Sequence, residues 1–211
     1  MDLIPKTIIN NNVSINAFTQ KDIESIIKSI PGNNIKIYTD GSLIKKVKEN
    51  ATGAGIFITK NNKTIQQYAL RTNDEASVFQ CEMFAILKSA EWINNNCKFE
   101  TIYILSDSQA SLAALNKQQT NSALILQTIK ELNKAGLNNN IYLIKVPAHI
   151  GIQGNEQADK LAKLATTVTN TIHKLKISMS HIINEMKEKL HKEHINRVSK
   201  SKKLAKKQNC P

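Results

Sequence analysis

The feature that most constrains the fold is a change in the spacing of apolar residues along the chain. Three runs, residues 35–40, 53–60 and 63–70, alternate apolar and polar residues as half-buried strands do. The Asn-Asn pair between the second and third runs favours a tight hairpin, because asparagine tolerates a positive φ. From residue 74 to about residue 95 the apolar spacing becomes three and four, which is typical of an amphipathic helix. The pattern therefore predicts antiparallel strands followed by a covering helix.

The segments that follow alternate between the two periods. Residues 101–107 and 140–147 are short apolar runs that predict strands, and helical spacing covers residues 108–116, 122–136 and 155–165. The predicted order is βββαβααβα. This order indicates an α/β fold with a five-stranded mixed sheet, in which the first three strands are antiparallel and helices flank the sheet.

The two ends of the chain differ in composition from its middle. Residues 1–33 are polar and rich in asparagine, so we interpret them as a leader with one short helix near residues 19–30. Residues 34–167 form the predicted folded domain. Residues 168–211 form a basic tail, helical or disordered, which carries most of the formal net charge of +12. The charge favours a polyanionic partner, although a lysine-rich solvated tail explains it equally well.

Cysteine usage and hydropathy bear on the compartment. Cys81, Cys97 and Cys210 show no paired or CxxC spacing, and the first residues lack the apolar run of a signal peptide. We expect an intracellular protein, with nucleus and cytoplasm unresolved. No stretch approaches the roughly 18 consecutive apolar residues of a membrane span, so no membrane partner is expected.

Four carboxylates stand at the ends or inner borders of four different predicted elements. Asp40 and Asp107 each close an apolar strand, at the edge where the active sites of α/β sheets gather. Glu82 borders the apolar stripe of the long helix, and Asp159 lies in the first turns of the last helix. Singly, each is explained as a turn former or an ordinary helix acid. Together they would repel one another, so we expect hard divalent cations to hold them, Mg²⁺ rather than Zn²⁺.

His149 lies in the glycine-punctuated segment VPAHIGIQGNEQAD, ten positions before Asp159. A histidine in a loop is most often a polar surface residue. Beside an acidic cluster it is a candidate to carry protons or to assist product release.

Four blocks, YTDGS, QCEMFAI, LSDSQASL and VPAHIGIQGNEQADKLAK, resemble in order and separation the acidic motifs of the ribonuclease H family. The resemblance spans about residues 35–165 and is greatest to the ribonuclease H domain of non-LTR retrotransposons. It implies a ribonuclease H-like fold for residues 34–167. It also implies an endoribonuclease that hydrolyses the RNA strand of RNA–DNA hybrids with two Mg²⁺ ions, or with Mn²⁺.

The resemblance assigns roles to individual residues. The catalytic set it implies is Asp40, Glu82, Asp107, His149 and Asp159, of which the four carboxylates would bind the metal ions. The substrate-binding residues it implies are Gly41, Ser42, Gln80, Asn155 and Glu156.

The resemblance also implies partners: an RNA–DNA hybrid and a reverse transcriptase on a parent polyprotein. We expect a monomer. Val78 and Phe79 replace a polar pair that many cellular members carry before the helix glutamate, which leaves Gln80 as the nearest amide.

Two other functions are consistent with the same fold. One is a nucleic-acid-binding module that has lost activity, against which the complete set of acids argues. The other is a DNA-strand nuclease or an integrase-like transferase, against which the GNEQAD block and its upstream histidine argue.

Overall fold

The computed structural model divides the chain into two compact units, Met1–Leu175 and Lys176–Pro211. In the first unit it describes residues 9–16, 23–45, 51–117, 119–148, 151–169 and 172–175. In the second it describes Lys176 and short helical stretches between residues 182 and 198. No helix within these residues is long and apolar enough to cross a membrane.

The described part of the first unit has six strands and five helices. Its elements are β1 (Val13–Asn16), α1 (Ile23–Ser29), β2 (Ile35–Ile44), β3 (Ala51–Lys60), β4 (Lys63–Thr72), α2 (Val78–Asn96), β5 (Thr101–Ser106), α3 (Gln109–Leu115), α4 (Ala123–Ala135), β6 (Asn140–Lys145) and α5 (Gln153–Ala165).

The strands form one mixed sheet in the order β1-β6-β5-β2-β3-β4. Strands β2, β3 and β4 are antiparallel, whereas β5 pairs parallel with both β2 and β6. The predicted α/β class and the antiparallel start are confirmed. The tight hairpin is also confirmed, because Asn61 and Asn62 have φ angles of 54° and 57°.

The predicted count of five strands was wrong, because the sheet has six. The additional strand, β1, lies in the segment predicted as a leader and pairs parallel with β6, from Val13 opposite Ile141 to Asn16 opposite Ile144. Without β1, strand β6 would be an exposed edge with unpaired backbone groups. The predicted domain boundaries themselves remain a prediction. The first residues of the helix predicted near residues 19–30 lie outside the described residues.

Helix α5 packs against β3 with its backbone, and two glycines make this approach possible. A β-carbon at Gly55 would lie 2.1 Å from the carbonyl oxygen of Ala158, and one at Gly53 would lie 2.5 Å from the β-carbon of Ala165. Any side chain at Gly55 would therefore push α5 away from the sheet. This close packing sets the position of the acid that α5 carries, Asp159.

We expect Gly55→Ala to reduce the free energy of unfolding by about 2 kcal/mol or more, because overpacking against backbone atoms cannot be relieved by a rotamer change. Gly32→Ala is the matched control, since a β-carbon at Gly32 meets no atom within 4 Å. Its effect should stay within about 0.5 kcal/mol. Urea unfolding of the two variants measures both, and equal midpoints would contradict close packing at Gly55.

Candidate active site

Asp40 lies within β2, which continues to Ile44, so the prediction that it ends its strand was wrong. It lies opposite Gly55 of β3, and its side chain is largely buried, with 9% of the residue exposed. One of its carboxylate oxygens, Oδ1, accepts a hydrogen bond of 2.8 Å from the backbone N–H of Gly41. The rigid strand and this bond orient the carboxylate.

Glu82 reaches the same region from α2. The first turn of this helix is held by a capping box in which Ser77 and Gln80 exchange hydrogen bonds. At Gly41 the strand touches the helix, because a β-carbon there would lie 2.7 Å from the backbone nitrogen of Glu82. Glycine at this position therefore lets α2 bring Glu82 beside β2.

Two serines of α3 hold the Glu82 carboxylate. Ser108, the N-cap of α3, donates a hydrogen bond to Oε2 of Glu82, and Ser111 donates a longer one of 3.4 Å to the same atom. Because Ser108 directly follows Asp107, these bonds tie Glu82 to the end of β5.

Asp40, Asp107 and Asp159 line one small pocket, which we call the acid pocket. It is completed by Pro147, Gly151, Ile152, Asn155 and Glu156. Asp159 also forms an ion pair within α5, since Lys163 Nζ lies 2.7 Å from its Oδ2. Strands β2 and β5 and helix α5 thus each supply one carboxylate to the same pocket.

The carboxylates affect one another electrostatically. Burial raises the pKa of Asp40 to about 7, and the negative charges of Asp107, Asp159 and Glu82 contribute to the rise, while the N–H of Gly41 opposes it. Burial also raises the pKa of Glu82, an effect that the Ser108 hydrogen bond opposes and the charge of Asp107 reinforces. The charges of the four acids therefore influence one another, and their role as one catalytic set stays a prediction.

The sequence profile of the RNase H family matches residues 32–167, more than half of the chain. The protein belongs to the ribonuclease H family. It is therefore a ribonuclease of RNA–DNA hybrids and a hydrolase, as its motifs predicted. A similar solved structure is RNase H1 from the halophilic archaeon Halobacterium salinarum NRC-1, with 19% sequence identity and a TM-score of 0.48 over 63% of this chain and 96% of that one.

Members of the ribonuclease H family use divalent metal ions. Among the described residues, no three His, Cys, Asp or Glu side chains converge as closely as the ligands of a bound ion do. Two of the acids are engaged elsewhere, Glu82 by serines and Asp159 by Lys163.

The donor chemistry nevertheless fits a hard cation. The acid pocket offers carboxylate oxygens, the type of ligand that Mg²⁺ prefers. Asn155 adds a buried amide oxygen, Oδ1, that has no hydrogen-bond partner in the described part of the chain. A buried orphan acceptor is costly, and a cation or its hydration water would satisfy it.

The other predicted residues of this ribonuclease H site lie as follows. Asn155 and Glu156 line the acid pocket, and Gly41 and Ser42 continue β2 beyond Asp40. Gln80 is buried and occupied in the capping box of α2, so its predicted contact with substrate stays a prediction. His149 lies outside the described residues.

Three residues that contact the acids were not identified from the sequence: Ser108, Ser111 and Lys163. Ser108 carried a usable signal, because a serine that follows a strand-ending acid and precedes a helix is a typical N-cap. Lys163 lies four residues after Asp159, the spacing of helical ion pairs. The bonds from the serines to Glu82 depend on the packing of α2 against α3, which no local pattern reports.

In EDTA we expect the protein to lose stability as the pH rises from about 4 to about 7. The folded state keeps a proton on Asp40 in this window that the unfolded chain releases, because the pKa of Asp40 is raised from 3.8 to about 7. The loss is complete above pH 7 and corresponds to about 4 kcal/mol. Urea unfolding at pH 4.5 and pH 8 measures it.

Asp40→Asn should flatten this pH dependence, because the amide has no proton to release. Glu75→Gln, which changes an exposed carboxylate between β4 and α2, is the control and should keep the slope. An unchanged slope in Asp40→Asn would show that Asp40 is not the protonated group.

Proposed function

We propose that this ribonuclease H is an endoribonuclease that uses two divalent cations, held by Asp40, Glu82, Asp107 and Asp159, to hydrolyse the RNA strand of hybrids. The observation that supports this most directly is the raised pKa of Asp40, to which the other three acids all contribute. Such a cluster carries more negative charge than its surroundings balance, and it is stabilised when cations enter.

Bound Mg²⁺ or Mn²⁺ would supply a more acidic water and positive charge at the scissile phosphodiester. The protein's own residues have positioning roles. Gly41 N–H orients the Asp40 carboxylate, and Ser108 and Ser111 orient that of Glu82. These bonds come from the backbone of a strand and the first turn of a helix, which are rigid supports for ligands.

Recognition of substrate is assigned to residues next to the acids. The backbone at Gly41 and Ser42 would contact 2′-hydroxyl groups, which distinguish RNA from DNA. Asn155 and Glu156 of α5 would contact the sugar-phosphate backbone beside the acid pocket. His149, ten positions before Asp159, would carry protons or assist product release.

The origin of the chain is part of the same proposal. The amino-acid sequences of the blocks QCEMFAI and VPAHIGIQGNEQADKLAK support descent from a non-LTR retrotransposon, in which a reverse transcriptase shares the polyprotein. We propose that the domain acts as a monomer.

The function is tested with a hybrid labelled on either strand, incubated with Mg²⁺ or EDTA. We expect cleavage of the RNA strand only with Mg²⁺, and Asp107→Asn should reduce the rate by at least about 100-fold, since loss of even an outer-shell partner costs that much in many metal sites. Glu75→Gln is the control and should keep the rate.

The outcomes separate the candidate functions. Cleavage of duplex DNA in preference to the hybrid would favour a DNA-strand nuclease. Binding of the hybrid without cleavage in Mg²⁺ and in Mn²⁺ would show that the chain is a nucleic-acid-binding module. Calorimetric titration with Mn²⁺, compared between the unsubstituted protein and Asp107→Asn, tests metal binding without relying on activity.

The ion pair of Lys163 with Asp159 competes with a metal ion for the same carboxylate. We therefore expect Lys163→Met to lower the half-saturating Mn²⁺ concentration about 2- to 5-fold, the range that an exposed ion pair of up to about 1 kcal/mol allows. Lys160→Met, an exposed lysine of the same helix, is the control. A higher half-saturating concentration in Lys163→Met would show that Lys163 supports the metal site by orienting Asp159.

A further inference from the structure

A second and larger cavity, of about 520 Å³, lies beside the acid pocket. We call it the side cavity and define it by Lys28, Lys36, Tyr38, Phe57 and Gln153. None of the four carboxylates lines it, although it shares Gly151 and Ile152 with the acid pocket. The function proposed above leaves this cavity without a role.

One wall of the side cavity is aromatic. Tyr38 of β2 and Phe57 of β3 are direct cross-strand neighbours, with ring centroids 6.3 Å apart. Gly154 packs flat against the Tyr38 ring, since a β-carbon there would lie 2.2 Å from a ring carbon. The tyrosine ring is thereby fixed in place. Tyr38 is only 7% exposed, so Phe57, which is half-buried, is the ring on which another planar ring in the cavity can stack.

The side cavity is also cationic. Lys36 lies two residues before Tyr38 and so projects from the same face of β2. It is half-buried, burial lowers its pKa, and no acid of the described chain lies within ion-pair distance. Lys28 of α1 lines the same space, and none of the described residues that line it is acidic. A desolvated lysine without a counter-charge favours an anionic ligand.

The start of α5 adds to this preference. The first two residues of the helix, Gln153 and Gly154, line the side cavity. The N-cap residue is Ile152, whose side chain cannot accept a hydrogen bond, so no side chain caps the first amides. An uncapped helix start carries partial positive charge that stabilises anions, although Glu156 in the first turn of α5 offsets part of it.

Size and polarity define the ligand further. A volume of about 520 Å³ falls within the range of small-molecule sites, about 300–1,000 Å³. The amides of Asn62 and Gln153 offer both donors and acceptors, which suit the edge of a nucleobase. A planar apolar ring system with polar edges and an attached anion is the chemistry of a nucleotide.

We propose that the side cavity is a non-catalytic nucleotide-binding site, in which the base stacks on Phe57 and the phosphate lies near Lys36. Along β2, Lys36 precedes Asp40 by four residues, roughly 13 Å at the rise of a strand. The bound phosphate is therefore not the one presented to the carboxylates.

The adjoining surface favours a nucleotide within a single strand over a free one. Tyr103 of β5 lies directly opposite Lys36 in the sheet, and its ring stacks on that of Tyr142 with centroids 5.1 Å apart. Both tyrosines are half-buried. They extend the aromatic surface past the side cavity, where a neighbouring base of the same strand could stack.

The test measures binding in EDTA, where metal-dependent hydrolysis does not occur. A fluorescently labelled short oligothymidylate is titrated with the protein and with Lys36→Gln, Phe57→Leu and Lys130→Gln. We expect the first two substitutions to weaken binding at least 5-fold each, since stacking on one aromatic ring contributes about 1–3 kcal/mol per base. Lys130→Gln changes an exposed lysine of α4 and should alter binding less than 2-fold.

Competing ligands distinguish the sources of the nucleotide. Displacement of the oligothymidylate by adenosine monophosphate, but not by inorganic phosphate, would show a site for free nucleotides as well. Failure of adenosine monophosphate to compete, with the effects of Lys36→Gln and Phe57→Leu retained, would show that the site recognises a strand. Equal binding by Lys36→Gln and Lys130→Gln would overturn the proposal, and this comparison holds even if Phe57→Leu fails to fold.

Hybrid cleavage in Mg²⁺ separates this site from the proposed active site. We expect Lys36→Gln to keep the cleavage rate within about 3-fold while it loses oligothymidylate binding. A protein that binds the oligothymidylate through Lys36 but never cuts the hybrid would overturn the proposed function and leave the side cavity as inferred.

Discussion

The repulsion among four carboxylates is the interaction on which the rest of the structure depends. Asp40 is mostly buried, and this burial together with the charges of three further acids raises its pKa to about 7. An arrangement of this kind is unfavourable unless the surrounding fold is stiff enough to hold the charges together. The parallel pairing of β2 with β5, and the close packing of α2 and α5 on the sheet, supply that stiffness.

Glycine contributes by letting backbones approach. At Gly41, strand β2 meets the first turns of α2 beside Glu82. At Gly55, strand β3 meets α5 one residue before Asp159. A side chain at either position would separate an acid from Asp40. Gly41 lies within β2 and not in a turn, so its role is in packing, and the sheet positions the acids through direct backbone contact.

The acids could be predicted because each carries a local signal. A carboxylate at the end of an apolar alternating run of sequence, or at the border of the apolar stripe of a helix, is recognisable without tertiary information. Strand β1 could not be found in this way, because four residues within an asparagine-rich segment become a strand only by pairing with β6. Gln80 was ambiguous for a different reason, since one amide can serve equally as a helix cap or as a substrate contact.

Strand β2 links the two cavities. On one face it carries Lys36, Tyr38 and Asp40 at successive alternate positions, so a cation, an aromatic ring and an acid lie in a row. The acid belongs to the acid pocket and the other two to the side cavity, with the segment of Gly151 and Ile152 touching both. A single rigid strand can therefore hold a nucleotide at a fixed distance from the carboxylates. A nucleic acid that occupies both the acid pocket and the side cavity would be held at one position along its backbone relative to the carboxylates. This position would not depend on the sequence of its bases.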